Sequence, residues 1–90
     1  LAAAGLKADK CRWVSGQAPI DSQSVVAKIR YRHGGVPAEV VTVGERAIVR
    51  FDSPQEAISP GQAVVFYQDD RVLGGGWIDE AIGLVEERVV

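Results

Sequence analysis

Three cations stand at alternate positions in Val25-Val26-Ala27-Lys28-Ile29-Arg30-Tyr31-Arg32. Successive side chains of a strand point to opposite faces, so this spacing puts Lys28, Arg30 and Arg32 on one face and Ala27, Ile29 and Tyr31 on the other. Neighbouring cations would then lie about 6 to 7 Å apart, a row that a polyanion such as RNA can engage through its phosphates. The same pattern also serves a solvated outer face, or one paired with Glu39 across a hairpin, and the residue types leave both open. Alternation sends Tyr31 to the core side; at a strand end it could swing out and stack on a base.

Other reactive residue types offer less. His33 is the one histidine, sits in His33-Gly34-Gly35 and has no Ser or Cys at a recognisable spacing, so it reads as a turn residue rather than a general base. Cys11 is the one cysteine, and its neighbours Lys10 and Arg12 could lower its pKa. With no CxxC pair, resolving partner or disulfide framework, it reads as a structural thiol. Gly74-Gly75-Gly76 lacks the lysine and helix start of a P-loop and the spacing of a dinucleotide fingerprint, and reads as a bend or bulge at a barrel corner. The carboxylates show no metal-ligand spacing. No catalytic, cofactor-binding or metal-ligating residue is expected in these ninety residues.

A row of strand cations needs a β framework, and from Ser24 onward short runs rich in Val, Ile, Phe and Tyr alternate with Gly, Pro and Asp clusters. Val25 to Arg32 ends at His33-Gly34-Gly35, a turn suited to positive φ. Val36 to Val43 points Val36, Ala38, Val40 and Thr42 to one face and Glu39, Val41 and Val43 to the other. Gly44-Glu45 has the glycine-first pattern of a type II′ hairpin, and Arg46 to Asp52 alternates Ala47, Val49 and Phe51 against mostly charged positions. Ser59-Pro60-Gly61-Gln62 predicts a type II turn, followed by a core-crossing strand over Ala63 to Tyr67. Asp69-Asp70 is a turn, Arg71-Val72-Leu73 a short strand, and the three glycines a break before Trp77 to Ile82. Residues 1–10 are Ala-rich but too few, and interrupted by Gly5, for a stable helix. They read as an opening segment with an edge strand around Leu6 to Ala8, ahead of an apolar patch at Trp13 and a loop from Ser15 to Ser22. Residues 83–90 read as a tail. Six or so short strands in one domain over 1–90 predict an all-β fold, a small six-stranded antiparallel barrel whose closure removes exposed sheet edges.

A net charge of −2 and a pI near 5.3 exclude a surface that binds nucleic acid all over and confine such a role to a local patch. The apolar fraction of 47% and charged fraction of 24% exclude a disordered chain. No apolar run approaches the roughly 18 residues of a membrane span, and Leu1-Ala2-Ala3-Ala4 lacks the features of a signal peptide. A soluble protein of the reducing cytoplasm fits the single cysteine. The absence of Met, including at the first position, predicts a piece of a longer protein.

Three blocks in order carry a resemblance: Lys28-Ile29-Arg30-Tyr31-Arg32, then Ala57 to Tyr67 with its Pro60-Gly61-Gln62, then Val72-Leu73-Gly74-Gly75-Gly76-Trp77-Ile78. Together with Leu6 and Cys11-Arg12-Trp13-Val14-Ser15-Gly16 they closely resemble the C-terminal domain of the tRNA-specific 2-thiouridylases, the MnmA (TrmU) family, over nearly the whole chain. Two departures are Trp77, at a variable position, and His33 after the Arg-Tyr-Arg block. The resemblance implies a β-barrel similar to domain 2 of elongation factors. It also implies a parent enzyme that uses ATP to adenylate the wobble uridine of certain tRNAs and then installs sulfur from a donor protein's persulfide. The ATP-binding loop and both reactive cysteines of that family lie upstream of this domain, so Cys11 inherits no catalytic role. By the same resemblance Arg30 and Tyr31 contact tRNA, Gln62 is a further contact, and Lys28 and Arg32 are secondary ones.

The expectation is therefore a tRNA-contacting barrel, catalytically silent alone, whose partners are tRNA, the upstream catalytic domain and a sulfur donor, with no membrane. Its contacts would be mainly to phosphate, which orient without reading sequence. The alternative is a structural or protein-interaction barrel that touches no RNA, and a weaker third reading is a stand-alone small-molecule barrel.

Overall fold

The alternation of small apolar and polar residues is realised as six strands and no helix in the computed structural model, which describes residues 2–29 and 34–83. They are β1 (Ala2–Trp13), β2 (Gln23–Ile29), β3 (Val36–Val43), β4 (Arg46–Glu56), β5 (Ala63–Gln68) and β6 (Arg71–Gly83). The strands pair antiparallel in the order β1-β4-β3-β2-β5-β6, and β6 returns to β1, so the sheet closes into a barrel. Its inward positions combine Ala8, Ala27, Ala38 and Ala47 with Leu6, Ile29, Val40, Val49, Val64 and Phe66. Small residues beside large ones let a barrel this narrow fill without a cavity. Trp13 stacks on Phe66 with ring centroids 5.5 Å apart and closes the interior at one rim.

The hairpins follow their turn residues. Val43 pairs with Arg46 around Gly44 (φ 61) and Glu45, and Gln68 with Arg71 around Asp69 (φ 56) and Asp70. Gly61 has φ 91, the left-handed third position that a type II turn requires, and Gln62 N–H donates to the Ser59 carbonyl at 3.4 Å.

Two segments differ from their sequence reading. The opening residues, expected to contribute only an edge strand at Leu6 to Ala8, form a 12-residue strand paired on both sides, with β4 and with β6. Gly5 is the reason it fits: a side chain there would collide with the Val49 carbonyl oxygen of β4. The Gly74-Gly75-Gly76 run does not break the chain but lies inside the continuous 13-residue β6. A Cβ at Gly74 would meet the Arg12 carbonyl and the Trp13 ring, at Gly75 the Val64 carbonyl, and at Gly76 the Cys11 sulfur at 2.7 Å. The glycines let β1 and β5 approach β6 closely, and the bulge expected there survives as register shifts beside them, one with its extra residue on β1 between Asp9 and Arg12 and one with Leu73 of β6 extra opposite Phe66 and Tyr67. β4 also runs past Asp52 to Glu56, where it pairs with Ala2.

Candidate nucleic-acid interface

On β2, Ala27 and Ile29 are buried and Lys28 is exposed, the alternation that the sequence predicts. Ile29, the last described residue of that strand, pairs with Val64 of β5, two residues after Gln62. On the other side of β2, Ala27 pairs with Val36 at the start of β3. The end of β2 at Ile29, the start of β3 at Val36 and the Ser59–Gln62 turn therefore lie at the same rim, as do Ala2 and Gly83. The far rim carries Trp13, the loop after it and the two tight hairpins. Arg30, Tyr31 and Arg32, the remaining members of the predicted set, lie outside the described residues, as does His33.

The Lys28 ammonium sits 4.6 Å from the centroid of the Tyr67 ring. Tyr67 pairs with Val26, so the cation and the ring are diagonal neighbours on the outer face. Glu39, the acid available across the hairpin, instead accepts from Ser24 Oγ at 3.4 Å. Ion pairs among the described residues join Lys7 to Glu80, Arg12 to Glu45 and Arg46 to Asp9, and Lys28 enters none of them. A cation resting on a ring rather than on a carboxylate keeps its full charge for an anion.

Gln62 is tied to its own turn. Its side-chain carbonyl accepts the Ser59 N–H at 2.9 Å, and its backbone carbonyl accepts Ile78 N–H at 2.8 Å. Gly61 N–H donates back to the Ile78 carbonyl at 2.8 Å, so the turn is latched to β6 on both sides. The side-chain amide NH2 of Gln62 makes no hydrogen bond among the described residues and is the donor that the turn presents.

Cys11 is buried at the β1–β6 seam beside Gly76, and burial pushes its thiol up to about 11, with Asp9 reinforcing and Arg12 opposing the shift. The flanking cations thus fail to make it a thiolate, because desolvation outweighs them. Sequence reasoning missed Tyr67 as the partner of Lys28. Its signal is the pairing of β2 with β5, which no local pattern reveals.

Residues 3–78 match the family described as the aminomethyltransferase β-barrel domain. The chain is 52% identical over 83 residues to the tRNA-specific 2-thiouridylase MnmA of Geobacter metallireducens, covering 91% of this chain and 22% of that protein. It is 52% identical over 67 residues to the corresponding protein of Syntrophotalea carbinolica, covering 73% and 19%, and 50% identical over 82 residues to that of Rhodopirellula baltica, covering 87% and 21%. The chain thus spans about a fifth of the length of these relatives. A closed six-stranded barrel matched over most of its length, and at about half identity to these relatives, places the chain in the aminomethyltransferase β-barrel domain family, as the barrel of the tRNA-specific 2-thiouridylase (MnmA/TrmU) group.

Proposed function

We propose that this barrel is the C-terminal, tRNA-contacting domain of an ATP-dependent 2-thiouridylase acting on the wobble uridine, and that it orients tRNA without taking part in the chemistry. The observation that carries the reading is the convergence at one rim of Lys28, the Gln62 turn and the two strand ends that flank Arg30-Tyr31-Arg32. Lys28, Arg30 and Arg32 supply phosphate contacts, Tyr31 a stacking face and Gln62 an amide donor. ATP and the sulfur-donor protein engage other parts of the parent enzyme, in the cytoplasm. No helix among the described residues is long and apolar enough to cross a membrane.

The alternative, a barrel covered by protein and silent toward RNA, draws on Val41 and Ile48, which pair across β3 and β4 and are both exposed on the outer face. Replacing Arg30 and Arg32 together with Ala in the parent enzyme separates the two. Loss of two phosphate contacts weakens tRNA binding and flattens the slope of log affinity against log salt by roughly 1.4 to 1.8. Unchanged affinity and slope would leave the protein-covered reading standing.

A further inference from the structure

Trp77 is the one exposed aromatic residue among the described residues, at 52% accessibility, and no fold requirement explains it. It stands on the outer face of β6, directly across from Ala63 of β5, the residue after Gln62. The latch between Ile78 and Gln62 fixes that neighbourhood: the residue following Trp77 exchanges backbone hydrogen bonds with the turn itself. Two positions back along β6, on the same face, is Gly75, in a row with Val65 and Lys28. Gly75 leaves the outer face next to the indole without a side chain, and Lys28 lies about 10 Å from Gly75 across two strand spacings.

We propose that Trp77 is a stacking platform for an unpaired base of the tRNA, an extension of the rim that carries Lys28 and Gln62. The inference rests on the tRNA reading above. The charges around the indole decide which part of the nucleic acid it meets. Asp9 pairs with Trp77 in register, Asp79 follows it on the same face, and both line one hollow with Trp77 and Lys10; with Arg46 3.9 Å from Asp9, two carboxylates are balanced by two cations, so the surroundings offer no net attraction to a phosphate. A base is not repelled, because it presents a neutral planar face. A single aromatic among Asp9, Lys10, Asp79 and Gly75 also falls well short of the roughly 800 Å² per partner that a stable protein interface buries.

The test is tRNA binding by the parent enzyme carrying Trp77→Ala, Trp77→Phe, Lys28→Ala or Arg30→Ala, each measured across a salt series. Trp77→Ala is expected to weaken binding about tenfold, within the range for loss of one stacked base, and to leave the salt slope unchanged. Trp77→Phe restores most of the affinity, since a smaller ring still stacks. Lys28→Ala and Arg30→Ala weaken binding and flatten the slope. Full affinity in Trp77→Ala while either cation variant binds poorly would overturn the platform and leave the tRNA reading intact. Full affinity in all the variants would remove both. A flattened slope in Trp77→Ala, or a Phe variant as weak as Ala with a lowered melting temperature, would assign the indole to structure and overturn the stacking role.

Discussion

Lysine and arginine flank Cys11 in the sequence, yet what governs the thiol is the strand packed against it. With Gly76 beneath the sulfur and water excluded, the neutral form is favoured until the pH nears 11. A thiol whose folded pKa is raised holds its proton more tightly than the unfolded chain does. Its effect on stability is therefore absent below the ordinary value of 9.0 and becomes a progressive loss as the pH climbs toward 11. Two pH units correspond to about 3 kcal/mol. Cys11→Ala should accordingly be less stable than the parent sequence near neutrality, through lost packing, and the gap should shrink by roughly 2 to 3 kcal/mol by about pH 11 in urea titrations. Lys28 tells the complementary story. Its exposure was legible from alternation alone, whereas its seat on Tyr67 depended on which strand lies alongside.

Strand by strand, legibility tracked how strictly the alternation holds. β3 and β4 keep a period of two through their buried positions and are joined by a glycine-first turn, so their faces and register could be read directly. β1 does not keep it. Its buried side chains fall at Ala3, Leu6, Ala8 and Cys11, and the slip from Ala8 to Cys11 occurs where Lys10 takes φ 55 with its N–H donating to the Asp9 carboxylate at 2.8 Å. A second irregularity sits between Ala3 and Gly5. Each bulge shifts the phase by one residue, so the segment resembles no regular pattern. β6 hid for the opposite reason, since glycines that usually end a strand are required here by close neighbours. Gly76→Ala puts a methyl against the Cys11 sulfur at 2.7 Å and the Asp9 carbonyl at 2.8 Å. It should lower the unfolding free energy by about 1 to 3 kcal/mol, as overpacking does, and speed amide exchange along the β1–β6 seam more than along β3–β4. Equal exchange in both places would argue against a local clash.

At the scale of the molecule, closure is what gives so small a domain a usable core, because every strand has a neighbour on each side. Closure also separates two rims. One holds the Gln62 turn and the ends of β2 and β3; the other holds Trp13, the loop after it and the hairpins at Gly44 and Asp69. Titrating the 90-residue chain with tRNA should therefore move amide resonances of Lys28, Gln62 and Trp77 and leave Ser15, Gly44 and Asp70 still. Affinity should be weak and fall steeply with salt, since only a few phosphates are engaged. Shifts confined to the far rim would reverse the assignment of faces. The two tryptophans divide along the same line. Trp13 lies against Phe66 at the closed end, and Trp77 stands in solvent near the other. An indole in an apolar stack emits at shorter wavelength than one in water, so the protein carries an intrinsic two-colour optical label. The blue component reports whether the barrel is plugged, the red one whether its opposite end is occupied, and neither needs an added dye.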